Sequence, residues 1–200
     1  MIETTEKTVT TRDRIVETGL RLFSKMGYLG ATTKEIAREA GIAEVTLFRH
    51  FPSKEKLFEE VLNTYSFLPA LKGLMPEVAQ MGYEEALRLI AARFLEVLDL
   101  RRDLIQILHA EAARYPEKVY TIYNSFIDEI LLILGSYFRD LQKKGTLRAF
   151  DAETAARLFF GMFFSYFTSQ EFMMRKKYRP TDPAMIVREY VSIFVRGTVI

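Results

Sequence analysis

Apolar residues return every third or fourth position along nearly the whole chain, and no stretch keeps the every-second-residue alternation of a strand. This spacing predicts helices packed on helices, an all-α fold of about nine elements. A first stripe, Ile15, Gly19, Leu22, Phe23 and Met26, opens behind Thr10 and Asp13 and closes at Gly27. A second and shorter one, Ile36, Ala37 and Ala40, starts behind Thr32, with Glu35 at the spacing of a capping box. Gly41 then suits the left-handed residue that ends a helix, and Ile42 and Leu47 seat a further short helix from about Glu44 to Phe51. Two short helices joined by such a turn make a helix-turn-helix, whose second helix is shaped to enter a DNA major groove. Pro52 breaks the chain, Ser53 caps a fourth helix, and Leu57, Phe58, Val61, Leu62 and Tyr65 form its buried face.

Pro69, Gly73, Pro76 and Gly82 read as a boundary region. Beyond it the pattern predicts helices over about Tyr83 to Asp99, Arg101 to Arg114, Pro116 to Lys144 and Asp151 to Lys177, and a last one capped by Thr181 or Asp182 with Pro183 just inside. Residues 1–52 thus read as a three-helix bundle carrying the motif, and 53–200 as a separate helical domain. Met1 to Val9, polar and Thr-rich, reads as a disordered arm. The Asp151 helix is apolar on two sides, Phe159 and Met162 on one and Phe160, Phe164 and Phe167 on the other, so it must be covered twice. Gly161, Ser165 and Ser169 make a smooth strip along it, and Val187, Tyr190, Val191 and Phe194 give the last helix a broad apolar face. A second copy of the chain would cover them as a homodimer; a thick monomeric core is the alternative.

Composition narrows the chemistry. There is no cysteine, which excludes disulfides and thiolate metal sites, and the net charge of +2 gives no bulk attraction for nucleic acid. Between Arg21 and Lys56, seven basic residues face four acidic ones, a mild patch, so a DNA function rests on the motif. The longest run without charge, Leu158 to Gln170, is short of the roughly 20 residues that span a bilayer, and the start lacks an apolar leader, so a cytoplasmic protein with no membrane partner is expected. His50 and His109 are the only histidines. His109-Ala110-Glu111 has the H-x-E spacing of zinc deaminases without their cysteines, and there is no phosphate loop or nucleophile elbow, so no enzyme, metal or cofactor is expected.

The runs IVETGLRLFSKMGY and TTKEIAREAGIAEVTLFRHFPSKEKLF resemble the DNA-binding domain of the tetracycline-repressor-like (TetR) family of bacterial transcriptional regulators. The rest of the chain resembles that family in length and helix order. The resemblance implies a homodimeric repressor that leaves a palindromic operator when a small molecule enters a C-terminal domain for ligand binding and dimerisation. It places DNA contacts on Thr32, Thr33, Lys34, Glu44, Val45, Thr46, Phe48, Arg49, His50 and Lys54. Arg49 matches guanine O6 and N7 or a phosphate, Thr46 a thymine methyl or a phosphate, and Lys54 adds an ammonium to a helix N-terminus. Three positions depart from the family's pattern. Ala43 stands where a capping serine or threonine is frequent and Phe48 where tyrosine is usual. Glu44 either complements the helix dipole or accepts from a cytosine N4.

Aromatic density suggests a cavity for an apolar or aromatic effector lined by Phe94, Tyr123, Phe126, Phe160, Phe163, Phe164 and Phe167, with Gln106 and His109 as polar anchors. The rival functions are a DNA-binding or architectural protein with no ligand and a helical carrier of lipids or other small molecules.

Overall fold

Thr10 starts the first helix, α1 (Thr11–Gly30), with a reciprocal box: its hydroxyl accepts from the Asp13 amide, and its own amide donates to the Asp13 carboxylate. The structure, a computed structural model, describes residues 10–173 and 175–200; the arm expected over Met1 to Val9 lies outside the described residues. There follow α2 (Thr33–Glu39), α3 (Glu44–His50), α4 (Lys54–Tyr65), α5 (Phe67–Val78), α6 (Tyr83–Leu100) and α7 (Arg102–Glu111). A 3₁₀ turn over Ala112–Arg114 leads to α8 (Glu117–Lys143), α9 (Ala152–Glu171), α10 (Arg175–Tyr178) and α11 (Pro183–Thr198). Extended pairing among the described residues is limited to an isolated bridge between Leu147 and Val199, so the fold is all-α.

Two elements correct the sequence pattern. The expected break after Pro69 is helix α5. Pro69 falls in its first turn, where the missing amide is an orphan anyway, and Ser66 caps it by accepting from the Leu68 amide. Phe67, Leu68, Leu71, Leu74 and Val78 are buried along it, and that burial outweighs the hydrogen bond lost at Pro76. Helix α9 stops at Glu171, short of Lys177. The amides of Phe172 and Met173 both turn back to the Thr168 carbonyl, and Arg175, Lys176 and Lys177 restart separately as α10.

The helices sort into two compact units. The first holds the described residues through Tyr65 together with Asp103–Tyr120; the second holds Ser66–Arg102 and Thr121–Ile200. Helix α4, beyond the division expected at residue 52, therefore packs with the motif. Its Leu57, Phe58 and Val61 are fully buried, and the Phe58 ring meets Phe23 at 5.4 Å and Tyr28 at 5.1 Å, edge to face. Arg12 ties α1 to α4 through Glu60 at 2.6 Å.

In the second unit α6 is the central helix, packed by α5, α9 and α11. Phe67, Phe94 and Phe160 meet with centroids 4.9–5.6 Å apart, and Phe159 contacts Phe163 and Phe194, both at 5.2 Å. The Tyr83 and Thr198 hydroxyls share a hydrogen bond of 2.9 Å.

Gly27 breaks α1 at φ 75°, as its position in the pattern predicts. What fills the break comes from α7. The buried carboxylate of Glu111 lies against Gly27, and its Oε2 accepts from the Leu29 amide at 3.4 Å. A Cβ at position 27 would fall 2.2 Å from Glu111 Oε1 at a φ that L residues rarely adopt. Gly27→Ala is expected to cost roughly 2–4 kcal/mol, read from the urea midpoint, by combining left-handed strain with overpacking. Adding Glu111→Ala should cost less than the sum of the two single changes, because it empties the space the methyl needs.

Candidate nucleic-acid interface and effector groove

In the first unit, α3 is fixed by one fully buried side chain, Leu47, which seats it on α2 beside buried Ile36 and Ala37. Gly41, at φ 68°, makes the turn between the two helices, and its amide and that of Ile42 close on Arg38 and Ala37 carbonyls. With Leu47 inward, α3 turns Val45, Phe48, Arg49 and His50 outward, with Glu44 and Thr46 half-buried at the edges. Val45 and Phe48 are 68% and 42% exposed, large apolar side chains on a face otherwise polar. Such a face can offer methyl and ring contacts to thymine as well as hydrogen bonds to base edges. Thr32 and Lys34 are exposed at the start of α2.

The capping differs in detail from the expected box. The Thr32 hydroxyl accepts from the Glu35 amide and itself donates to the Glu35 carboxylate, both at 3.1 Å. Ala43, at the start of α3, makes no side-chain cap. Glu44 supplies the missing constraint from outside the helix, because its Oε1 accepts from the Thr33 hydroxyl at 2.7 Å and so joins the first turn of α3 to the first turn of α2. Arg21 holds Glu39 at 2.9 Å, tying α1 to α2, and this guanidinium keeps the Glu39 carboxyl below its usual range. The Lys54 ammonium rests 4.3 Å from the centroid of the Tyr28 ring. Burial lowers its pKa, against the opposing charges of Glu111 and Glu55. The expected phosphate seat is thus a half-buried cation packed on an aromatic face.

The second unit contains a groove of about 640 Å³ bounded by α6, the end of α9, α10 and the start of α11. Ala92, Leu95, Phe167, Pro183, Ala184 and Val187 give it an apolar wall, and Arg88, Glu96, Asp99, Glu171 and Lys176 bring charge to it. The size lies within the range of about 300–1,000 Å³ common to small-molecule sites.

The groove and the cavity expected among the aromatics share one residue. Of the predicted lining, Phe167 reaches the groove; Phe94, Tyr123, Phe126, Phe160, Phe163 and Phe164 do not. Rings whose edges and faces attract fill one another's space, and Phe94, Phe160 and Phe163 are buried in the contacts described above. Gln106 and His109 are exposed on α7, in the other unit, and anchor nothing in the groove. The predicted dimer residues divide as well. Gly161 and Ser165 are exposed and Ser169 is half-buried, whereas Val187, Val191 and Phe194 are buried within the chain and Tyr190 packs on Phe163. Helix α11 spends that face on its own core and exposes Ile193 instead, at 69%.

Several residues here carry no signal in the sequence pattern. Glu111 meets its partner Leu29 across 82 positions, and Arg21 and Glu39 read as ordinary surface charges. The basic run Arg175–Arg179 is visible, but the expected continuation of α9 hides it inside a helix.

Comparison with known proteins decides what these parts belong to. Residues 15–61 match the family described as bacterial regulatory proteins, tetR family, and residues 85–197 match the AefR-like transcriptional repressor C-terminal domain. The chain belongs to the TetR family. It is a DNA-binding transcriptional regulator, and α2 and α3 are its helix-turn-helix. The uncharacterised transcriptional regulator YvkB of Bacillus subtilis is 29% identical over 157 residues, 78% of this chain and 81% of its own. The repressor KstR2 of Rhodococcus jostii is 25% identical over 198 residues, covering 93% and 90%. In fold, the TetR chain resembles FadR of Bacillus subtilis, solved in complex with stearoyl-CoA, with a TM-score of 0.73 at 17% identity over 92% of this chain and 97% of that one.

Removing the Glu44 carboxylate leaves the Thr33 hydroxyl without its partner and cuts the tie between α2 and the uncapped start of α3. Glu44→Ala is expected to cost about 1 kcal/mol in urea unfolding and to leave the sequence selected from a randomised operator library unchanged, since the carboxylate is committed to Thr33.

Proposed function

We propose that the chain is a homodimeric repressor that acts in the cytoplasm by binding and without catalysis. It holds a palindromic operator through α3 and the start of α2 and leaves it when a small, largely apolar molecule occupies the groove of the second unit. The observation that carries the DNA side is the seating of α3, with Leu47 fully buried and Val45, Phe48, Arg49 and His50 presented outward. On this reading Arg49 reads a guanine edge, and Val45 and Phe48 meet thymine methyls with Thr46 beside them. Thr32, Thr33, Lys34, His50 and Lys54 hold phosphates, which set register without reading sequence. The naming of KstR2 as a repressor and the presence of stearoyl-CoA in FadR support repression and an apolar effector.

The dimer is built on the outer face of α9. Gly161 and Ser165 form a smooth exposed strip with Ser169 at its edge, and Leu158 is 61% exposed on the same helix. Such an apolar patch with small residues favours close packing against a second copy. Ile193 of α11 extends it. A dimer presents two α3 helices about one DNA turn apart, 34–36 Å or so. An effector that favours another spacing weakens operator binding by its differential affinity for the two states.

Arg49→Ala should weaken operator binding by about 1–3 kcal/mol and relax selection at one base pair in each half-site, read from gel shifts with a randomised library. Leu158→Glu with Ile193→Glu, both at exposed positions, should give a folded monomer by light scattering with little operator affinity left. A dimer retained in that variant would move the interface elsewhere.

A further inference from the structure

Residues Arg175–Arg179 read RKKYR, four cations in five positions of a chain whose net charge is +2. They make up α10 and the residue after it, between α9 and α11, and Lys176, Pro180 and Thr181 from this stretch line the groove. The carboxylates of the groove are each held from the protein side. Glu96 takes Arg93 at 2.7 Å, Asp99 takes Arg102, and Glu171 takes Arg102 at 3.2 Å and Lys176 at 2.9 Å. Arg175, Lys177 and Arg179 are exposed, and no carboxylate lies within ion-pair distance of them among the described residues. Three unanswered cations on one short segment repel one another, and an anion placed among them relieves that repulsion. Next to them lies an apolar wall that water covers at a cost.

We propose that the groove takes a single-chain amphiphile with an anionic head. The tail lies against Ala92, Leu95, Phe167 and Val187, and the carboxylate or phosphate head is drawn to the basic segment, of which Lys176 lines the groove while Arg175, Lys177 and Arg179 are its exposed neighbours in sequence. Lys176 joins the two parts, since it lines the groove and belongs to the basic segment. A cationic head would meet the repulsion of the three exposed cations Arg175, Lys177 and Arg179. The inference rests on reading the groove as the effector site, and it adds the chemical class of the effector and the element that selects it.

Calorimetry on the full chain tests this with dodecanoate, dodecyl phosphate and dodecyltrimethylammonium, all below micelle-forming concentration, with inorganic phosphate and phosphatidylglycerol vesicles as separate arms. Both anions are expected to bind at least about tenfold more tightly than the cation, as one or two partly exposed charge contacts allow. The triple variant Arg175→Glu, Lys177→Glu, Arg179→Glu should erase that preference while folding normally, because all three residues are exposed. Ala92→Phe, which fills the groove from an exposed helix position, should remove binding of all three chains. Equal affinity for anion and cation overturns the assignment of the head. Unchanged binding in Ala92→Phe overturns the site. Inorganic phosphate binding as tightly as dodecyl phosphate, or association with vesicles alone, overturns the amphiphile. Operator binding is measured separately without amphiphile. Its absence beside intact, anion-selective binding would sink the repressor reading and leave this site standing.

Discussion

A buried carboxylate is the constraint on which the DNA-binding unit depends. Glu111 is 7% exposed and lies in the break of α1 at Gly27. Taking a carboxylate out of water is costly unless donors or cations answer it, and here the Leu29 amide donates to it while the Lys54 ammonium lies close enough to interact with its charge. The arrangement works because residue 27 has no side chain: the carboxylate occupies the volume a Cβ would take. It also explains why Asp103–Tyr120 groups with the motif although some forty residues of the other unit intervene in sequence. The contact falls just before α2, so anything that displaces the end of α7 acts on the residues that lead into the helix-turn-helix. Helix α7 has its first residue in the second unit and the others in the first, and α8 likewise has residues in both.

The recognition helix shows a similar economy. It is seven residues long, too short to be stable alone, and its first residue gives no cap. Its position comes from outside: Leu47 underneath, Glu44 bonded to Thr33, and Phe51 buried beneath the Arg12 guanidinium at 4.9 Å. Glu44 thus departs from the family's pattern in identity and ties the start of α3 to α2, while the first amides of α3 stay without a side-chain cap.

What the sequence discloses follows from the range of each interaction. Caps are local, so Thr10 with Asp13, Thr32 and Asp151 are legible from neighbouring letters, and of Thr181 and Asp182 it is Asp182 that caps the last helix. Periodicity is local too, and it gave the buried faces of α1, α4 and α6. Prolines misled at α5, because a proline is a break only when its amide is needed, and Pro69 falls where it is not. The end of α9 was hidden because long cationic side chains are good helix formers, and nothing in Arg175, Lys176 and Lys177 opposes continuation. Glu111 was beyond reach altogether, since no short-range rule links it to Leu29.

The aromatic residues show why a candidate site is harder to read than a fold. A stripe of phenylalanines says that a face is buried without saying whether other side chains or a ligand bury it. In the second unit Phe67, Phe94, Phe159, Phe160, Phe163 and Phe194 pack on one another, with ring centroids 4.9–5.5 Å apart. Empty volume instead gathers where packing is interrupted, at the place where α9 ends early and α10 and Pro180 intervene before α11 resumes. The groove is thus a consequence of a helix termination. Its lining comes from residues near that termination, Phe167, Gln170, Glu171 and Lys176, together with the facing positions of α6 and α11. Composition points to the most aromatic segment; the groove lies beside it, where an apolar wall meets the paired charges of Glu171 and Lys176.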